Sequence, residues 1–212
     1  MSRTPKTMTE NELHEYVAEI EGHGSQVTGV VGYFYNKYRR EVVARVQGTP
    51  NRDILEVGCG EGMMFDGTNI KPIQIDVSMR RVRFAREKGQ PALCGDGYHI
   101  PFANGTFSTV LLIAMLEHTS QPWRVLAEAR RVLKPGGRVI IVVPNDVTMS
   151  AGRLVLGKFP IRYPDHLTFT TPGRMDKWLT DGGFRVTEEF PLPFRSLPYA
   201  VNLYYFMVAE AV

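Results

Sequence analysis

Asp53-Ile54-Leu55-Glu56-Val57-Gly58-Cys59-Gly60-Glu61-Gly62 is the stretch that decides the fold. A short apolar run stops at Gly58 and passes into a Gly-x-Gly-x-Gly turn. Glycines admit unusual backbone angles and let a bound molecule approach the main chain closely. Pro72-Ile73-Gln74-Ile75-Asp76 then reads as a second short strand, closing on a carboxylate. Open α/β sheets bind ligands at strand ends beside the topological switch point. A carboxylate there can accept both hydroxyls of a ribose.

Working outward, short apolar runs alternate with segments of helical period, the signature of βα units and a mainly parallel sheet. Ser78 caps a helix that Gly89 stops, and Ala92-Leu93-Cys94 is a third strand. Thr109 to Ala114 is a fourth, apolar throughout as befits a strand covered on both faces. Val125, Leu126, Ala129, Val132 and Leu133 share one face of a helix over Pro122 to Lys134. Pro135-Gly136-Gly137 breaks that helix before a fifth strand, Arg138 to Val143. Thr171-Pro172 starts another helix, closed by Gly182-Gly183. Phe184 to Phe190 and Val201 to Ala209, joined by a short proline-rich link, suit an antiparallel hairpin. The expectation is a Rossmann-like three-layer α/β sandwich with a seven-stranded, mostly parallel sheet and an antiparallel last strand. N-terminal helices over Glu10 to Glu21 and Phe34 to Val46 are added to it.

The chain reads as one domain over residues 1–212, with a helical cap over 1–50 and a substrate lid over 145–170. Met149, Leu154, Val155, Leu156 and Phe159 supply the apolar side chains of that lid. With 43% hydrophobic and 22% charged residues, composition excludes disordered, collagen-like and coiled-coil classes. A net charge of +3 gives no case for a nucleic-acid partner, so the arginines at 80, 81, 83 and 86 read as a solvated helix face. The two cysteines form neither a disulfide framework nor a CxxC metal pattern, and Cys59 reads as a small packing residue. No segment is long and apolar enough to span a bilayer, and Met1 to Asn11 carries no secretion signal. A cytoplasmic location is expected.

Dinucleotide sites use G-x-G-x-x-G because a pyrophosphate must sit on a helix N-terminus. Here the spacing is G-x-G-x-G with Glu61 inside it, which would repel a pyrophosphate but tolerates a cationic sulfonium. Ile54 to Gly62 resembles motif I of class I S-adenosylmethionine-dependent methyltransferases, in the small-molecule, ubiquinone-biosynthesis-like subgroup. Gly95-Asp96-Gly97 with Ile100-Pro101-Phe102, Phe107, Leu116-Glu117-His118 and Arg131 to Gly137 are similar to further blocks of that family, in the same order.

The resemblance implies S-adenosyl-L-methionine as cofactor. Glu56, Gly58 and Gly60 would line its methionine part, and Asp76 would hold the ribose with Val77 and Ser78 beside the adenosine. Asp96 and Gly97 would receive the adenine, and Ala114 to Glu117 would lie near the sulfonium. Two departures are a short segment after motif I, Met63 to Asn69, and Ser108 where many members have aspartate. Small-molecule O-methyltransferases of similar appearance carry a histidine near the acceptor, and His166 is the candidate general base, with Asp165 or Glu117 to orient it. His118 reads as a structural or cofactor-edge residue, and His14, His23 and His99 as surface or loop residues. Tyr33, Phe34, Tyr35 and Tyr38 either close over the cofactor or pack a helix on the sheet.

The leading expectation is methyl transfer to a small-molecule acceptor at oxygen or carbon. Met115-Leu116-Glu117-His118 replaces the Asn/Asp-Pro-Pro-aromatic motif of the family's base N-methylating members. The alternatives are a nicotinamide-dependent oxidoreductase, disfavoured by the glycine spacing, and a non-catalytic adenosylmethionine-binding module. No metal ligand set is expected.

Overall fold

A computed structural model describes residues 8–20, 29–155, 157 and 165–212. Seven strands form one sheet in the order β3-β2-β1-β4-β5-β7-β6. They are β1 (Ile54–Val57), β2 (Ile73–Asp76), β3 (Ala92–Cys94), β4 (Phe107–Ile113), β5 (Leu133–Pro144), β6 (Phe184–Leu192) and β7 (Tyr204–Ala211). β1 pairs in parallel with both β2 and β4, so the chain reverses its direction of travel across the sheet at β1. That switch point opens a crevice above the ends of β1 and β4. Only β7 runs antiparallel, between β5 and β6, as expected of the closing hairpin.

Helices α1 (Glu10–Ile20), α2 (Gly29–Val46), α3 (Met79–Glu87), α4 (Pro122–Val132), α5 (Asp146–Val155) and α6 (Pro172–Asp181) accompany the sheet, together with short 3₁₀ segments. Successive strand residues face opposite sides of the sheet, so two cores form. On one side Leu55, Val57 and Ile141 meet Val125, Leu126 and Ala129 of α4 and Met175 and Leu179 of α6. On the other, Ile54, Leu111 and Ile140 meet Tyr38, Val42 and Val46 of α2. The aromatic run of α2 therefore packs the helix on the sheet. Tyr38 lies edge-on to Tyr35 and Tyr204, and Tyr33 stays exposed.

Three local outcomes differ from the sequence pattern. α4 stops at Val132, and Leu133 already belongs to β5. Its partner is Phe107, whereas Arg138 pairs with Thr109, so Lys134-Pro135-Gly136-Gly137 is accommodated as a bulge. Residues 145–170, expected as a connection, begin with α5. Leu154 and Val155 of that helix are exposed, and Leu156 and Phe159 of the expected lid lie outside the described residues. Third, α1 carries a reciprocal cap that the sequence reading passed over. Glu12 N–H donates to Thr9 Oγ1, while Thr9 N–H donates to the Glu12 carboxylate. Among the described residues no helix is long and apolar enough to cross a membrane.

Candidate functional site

The crevice at the switch point is a cleft floored by Val57, Gly58, Ala114 and Met115 and roofed by α1. Gly58 has φ +74°, and a Cβ built there would fall 2.8 Å from the Met115 Cβ. No other residue type fits the turn and leaves the floor intact. Ala114 also sits at positive φ, +49°, where its N–H donates to Val142 O. Sparsely populated backbone of this kind persists where surrounding structure enforces it, and it clusters at binding sites.

Asp76, the last residue of β2, stands at the cleft rim with both carboxylate oxygens already oriented. Oδ2 accepts from Gly60 N–H at 2.8 Å and Oδ1 from Ser78 N–H at 2.9 Å. Each oxygen keeps a lone pair for a further donor. Opposite, the Asp96 carboxylate accepts from Tyr98 N–H at 2.8 Å, fixing the loop that carries Gly97 against Val57 and Met115. Arg131 and Glu128 of α4 hold the same loop further on, through Ile100 and Phe102.

α1 is pinned at both ends of this cleft. Tyr98 Oη donates to Glu10 Oε1 at 2.8 Å, and Ser120 Oγ donates to Glu10 Oε2 at 2.6 Å. Glu15 accepts from Ser78 Oγ and from Met79 N–H at the start of α3. His14 thereby turns into the cleft beside Asn11 and Val17. Burial lowers its pKa despite the pull of Glu10 and Asp76. Among the described residues, Glu10, Asp76, Asp96 and Asp165 face the cleft against the guanidinium of Arg81, so its charge suits a cationic guest.

Next to the cleft lies a cluster of histidines and carboxylates. Glu117 and His118 form a one-turn 3₁₀ segment, Leu116–His118, just past β4. The segment resuming at Asp165 docks on it, with Thr168 N–H donating to Glu117 O. His118 Nδ1 lies 3.1 Å from Asp165 O, and a carbonyl only accepts, so Nδ1 carries the hydrogen. His166 Nδ1 lies 2.7 Å from Asp146 Oδ1. Burial raises the pKa of Asp146, but the hydrogen bonds from His166 and Thr170 outweigh it and leave the carboxyl below its ordinary value. Asp146 is therefore the acceptor at neutral pH. In the neutral His118 ring Nε2 is thus the lone-pair nitrogen. The rings stand edge to face, 5.1 Å apart. Burial pushes the His118 pKa down to about 4 and that of Glu117 well above the carboxylate range.

Known proteins resemble this chain in sequence and in fold. Residues 55–141 match the family described as a methyltransferase domain. The demethylmenaquinone methyltransferase of Streptomyces griseus is 31% identical over 130 residues, covering 59% of this chain and 56% of the relative. Uncharacterized protein MJ1123 of Methanocaldococcus jannaschii is 34% identical over 104 residues, 49% of this chain and 50% of the relative. The chain thus spans about half the length of these relatives. The [4+2]-cyclase SpnF matches with TM-score 0.73 at 18% identity, over 96% of this chain and 97% of that one. The PH0226 protein of Pyrococcus horikoshii matches with TM-score 0.69 at 19% identity, over 93% and 99%. Both establish the shared fold.

Within the matched stretch, Gly58, Asp76, Val77, Asp96, Gly97 and Ala114 line the cleft together. Glu56, Gly60, Ser78, Glu117 and His166 are not in its lining. Glu56 faces the α2 side of the sheet, accepts from Gln74 Nε2 at 2.7 Å, and is pushed by burial to a pKa of about 8. Gly60 reaches the site through its N–H on Asp76. Ser78 is buried as the cap of α3. The orienting partner of His166 is Asp146, not Asp165 or Glu117, because α5 starts directly beyond β5 and brings Asp146 under the ring. Asp165 holds His118 instead.

The sequence reading placed His14 on the surface and Arg81 on a solvated face, and both line the cleft. Glu10 and Tyr98 were missed as well. The Thr9/Glu12 cap was the available signal for α1, but nothing local told where that helix would dock. His23 lies outside the described residues.

Proposed function

We propose that this protein transfers a methyl group from S-adenosyl-L-methionine to a small organic acceptor, at oxygen or carbon. The observation that carries the reading is the Asp76 carboxylate, fixed by two N–H groups at the rim of a cleft with four carboxylates and one guanidinium. Such a cleft repels a pyrophosphate and tolerates a sulfonium, which speaks against the nicotinamide alternative. When bound, the cofactor supplies an electrophilic methyl group. Asp76 binds the ribose hydroxyls, with Val77 beside the adenosine. Asp96 accepts from the adenine amino group, and Gly97 leaves room for the ring. Gly58 and Ala114 let the main chain approach the methionine part, and Glu56, Gly60, Ser78 and Glu117 support the same site from beneath. α1, part of the helical cap over residues 1–50, covers the cleft and keeps water out.

His166 acts on the acceptor. Asp146 fixes its Nδ1–H, so Nε2 takes the proton from a hydroxyl or enol when no cation is bound. α5 and the residues after it belong to the lid over 145–170. Similarity to demethylmenaquinone methyltransferases supports a small-molecule acceptor rather than a nucleic acid. The free thiols of Cys59 and Cys94 support a cytoplasmic setting.

Calorimetry with S-adenosylhomocysteine tests the reading. Asp76→Ala is expected to weaken binding by about 1–3 kcal/mol, and unchanged affinity removes Asp76 from the ribose role. Tritium transfer from labelled cofactor into a metabolite extract identifies the acceptor. Binding without transfer across broad panels would leave a non-catalytic module.

A further inference from the structure

Glu117 is 2% exposed, and its Oε2 has no hydrogen-bond partner among the described residues. Stranding a buried polar atom is costly, and a bound cation would complete this one. His118 Nε2 lies 4.0 Å from the other oxygen of the same carboxylate, Oε1. Glu117, His118 and His166 each offer one ligand atom, and these atoms all lie within 4.8 Å of one another. Each ring is held from behind at Nδ1, His166 by Asp146 Oδ1 and His118 by Asp165 O. A carboxylate or carbonyl on the distal nitrogen is the arrangement that orients a metal-bound histidine and fixes its tautomer. Asp146 is itself fixed through Oδ2, which accepts from Thr170 N–H at 2.9 Å. Ligand atoms and their outer supports thus gather at the carboxylate that carries the unpartnered oxygen.

We propose that Glu117, His118 and His166 bind a divalent transition-metal cation through one carboxylate oxygen and two imidazole nitrogens. Mixed N₂O donors suit zinc, iron, cobalt or manganese better than magnesium or calcium, which favour all-oxygen shells. Three protein ligands leave room for an exogenous oxygen. His118 and Asp165 line the cleft, so that oxygen comes from a cleft-bound molecule or water. A metal-held hydroxyl is more acidic than a free one, and this acidity replaces the His166 base whenever the cation occupies its Nε2. Cation binding rests on this cluster alone and not on the methyl-transfer reading.

The test uses the whole chain, stripped with a chelator and titrated with Co²⁺, whose ligand-field absorption reports imidazole and carboxylate donors. One equivalent of Co²⁺ is expected to bind and to be displaced by Zn²⁺. Glu117→Gln keeps the side-chain shape and should weaken Co²⁺ binding by at least about tenfold. The double variant His118→Ala/His166→Ala should abolish the spectrum, and His99→Ala should leave it intact. Circular dichroism and thermal unfolding check the fold of each variant. Should the double variant fail to fold, Asp146→Asn serves in its place, with an expected loss of about 10–100-fold. A wild-type protein without the spectrum overturns the proposal, and so does a spectrum that survives both Glu117→Gln and Asp146→Asn unchanged.

Discussion

On the β1–β2 side of the cleft, the groups that meet a ligand come from short neighbouring stretches. Gly60 and Asp76, 16 residues apart, share a hydrogen bond, and Ser78 follows two residues later. On the other side, His118 is held by Asp165, 47 residues on, and His166 by Asp146 from the end of a different strand. The first side offers mainly backbone N–H groups and spaces where a side chain would clash. The second offers only side chains. A turn of glycines is a local property and constrains its neighbours through φ and ψ. A cluster of imidazoles and carboxylates exists only where distant segments dock, so each partner is replaceable without disturbing the local fold. The first side thus suits the proposed cofactor, and the second the proposed acceptor.

The largest expected effect breaks the acceptor side alone. His166→Ala should lower turnover by about 10²–10⁴-fold, while affinity for S-adenosylhomocysteine stays within about twofold, as steady-state kinetics and calorimetry will show. Equal turnover in both proteins would remove His166 from the chemistry. Gly58→Ala attacks the other side. The new Cβ combines left-handed backbone with the 2.8 Å approach to Met115, so cofactor affinity should fall by about 2–3 kcal/mol. Calorimetry at matched folded fraction checks this, and an unaltered affinity would mean the floor yields more easily than its geometry implies.

Asp146→Asn sharpens the comparison by touching only an outer support. Turnover should drop by about 10–100-fold, with little change in cofactor affinity. The smallest effect lies away from both sides. A hydrogen bond from the Arg45 guanidinium holds the Glu188 carboxyl below its usual pKa, with burial opposing. A depressed folded pKa contributes stability at neutral pH that is lost as pH falls. Glu188→Gln should therefore lower stability at pH 7 by less than about 1 kcal/mol. The two proteins should converge below about pH 4 in denaturant titrations, and a constant gap across pH would exclude the ion pair as its source.

Much of the sheet was legible because strand residues announce themselves by apolar runs and by the turns that end them. β1, β2 and β3 fall where the glycine, aspartate and cysteine stops place them. The bulge at Lys134–Gly137 was not legible, because Pro135 and the glycines read equally as a helix stop and as an irregular strand start. Pairing with Phe107 settled it. α5 escaped notice because Asp146 and Thr148 carried the pattern of a connection.

By itself the amino-acid sequence determined the order of βα units, the glycine turn and the carboxylate closing β2. Those features arise from backbone sterics and hydrophobic period, which act between near neighbours. Only the tertiary structure decided that α1 roofs the cleft, that Asp146 rather than Asp165 orients His166, and that Glu117 meets two imidazoles. Such encounters follow from how helices and loops dock on the sheet, a balance of packing and hydrogen bonds over tens of residues that no local pattern records.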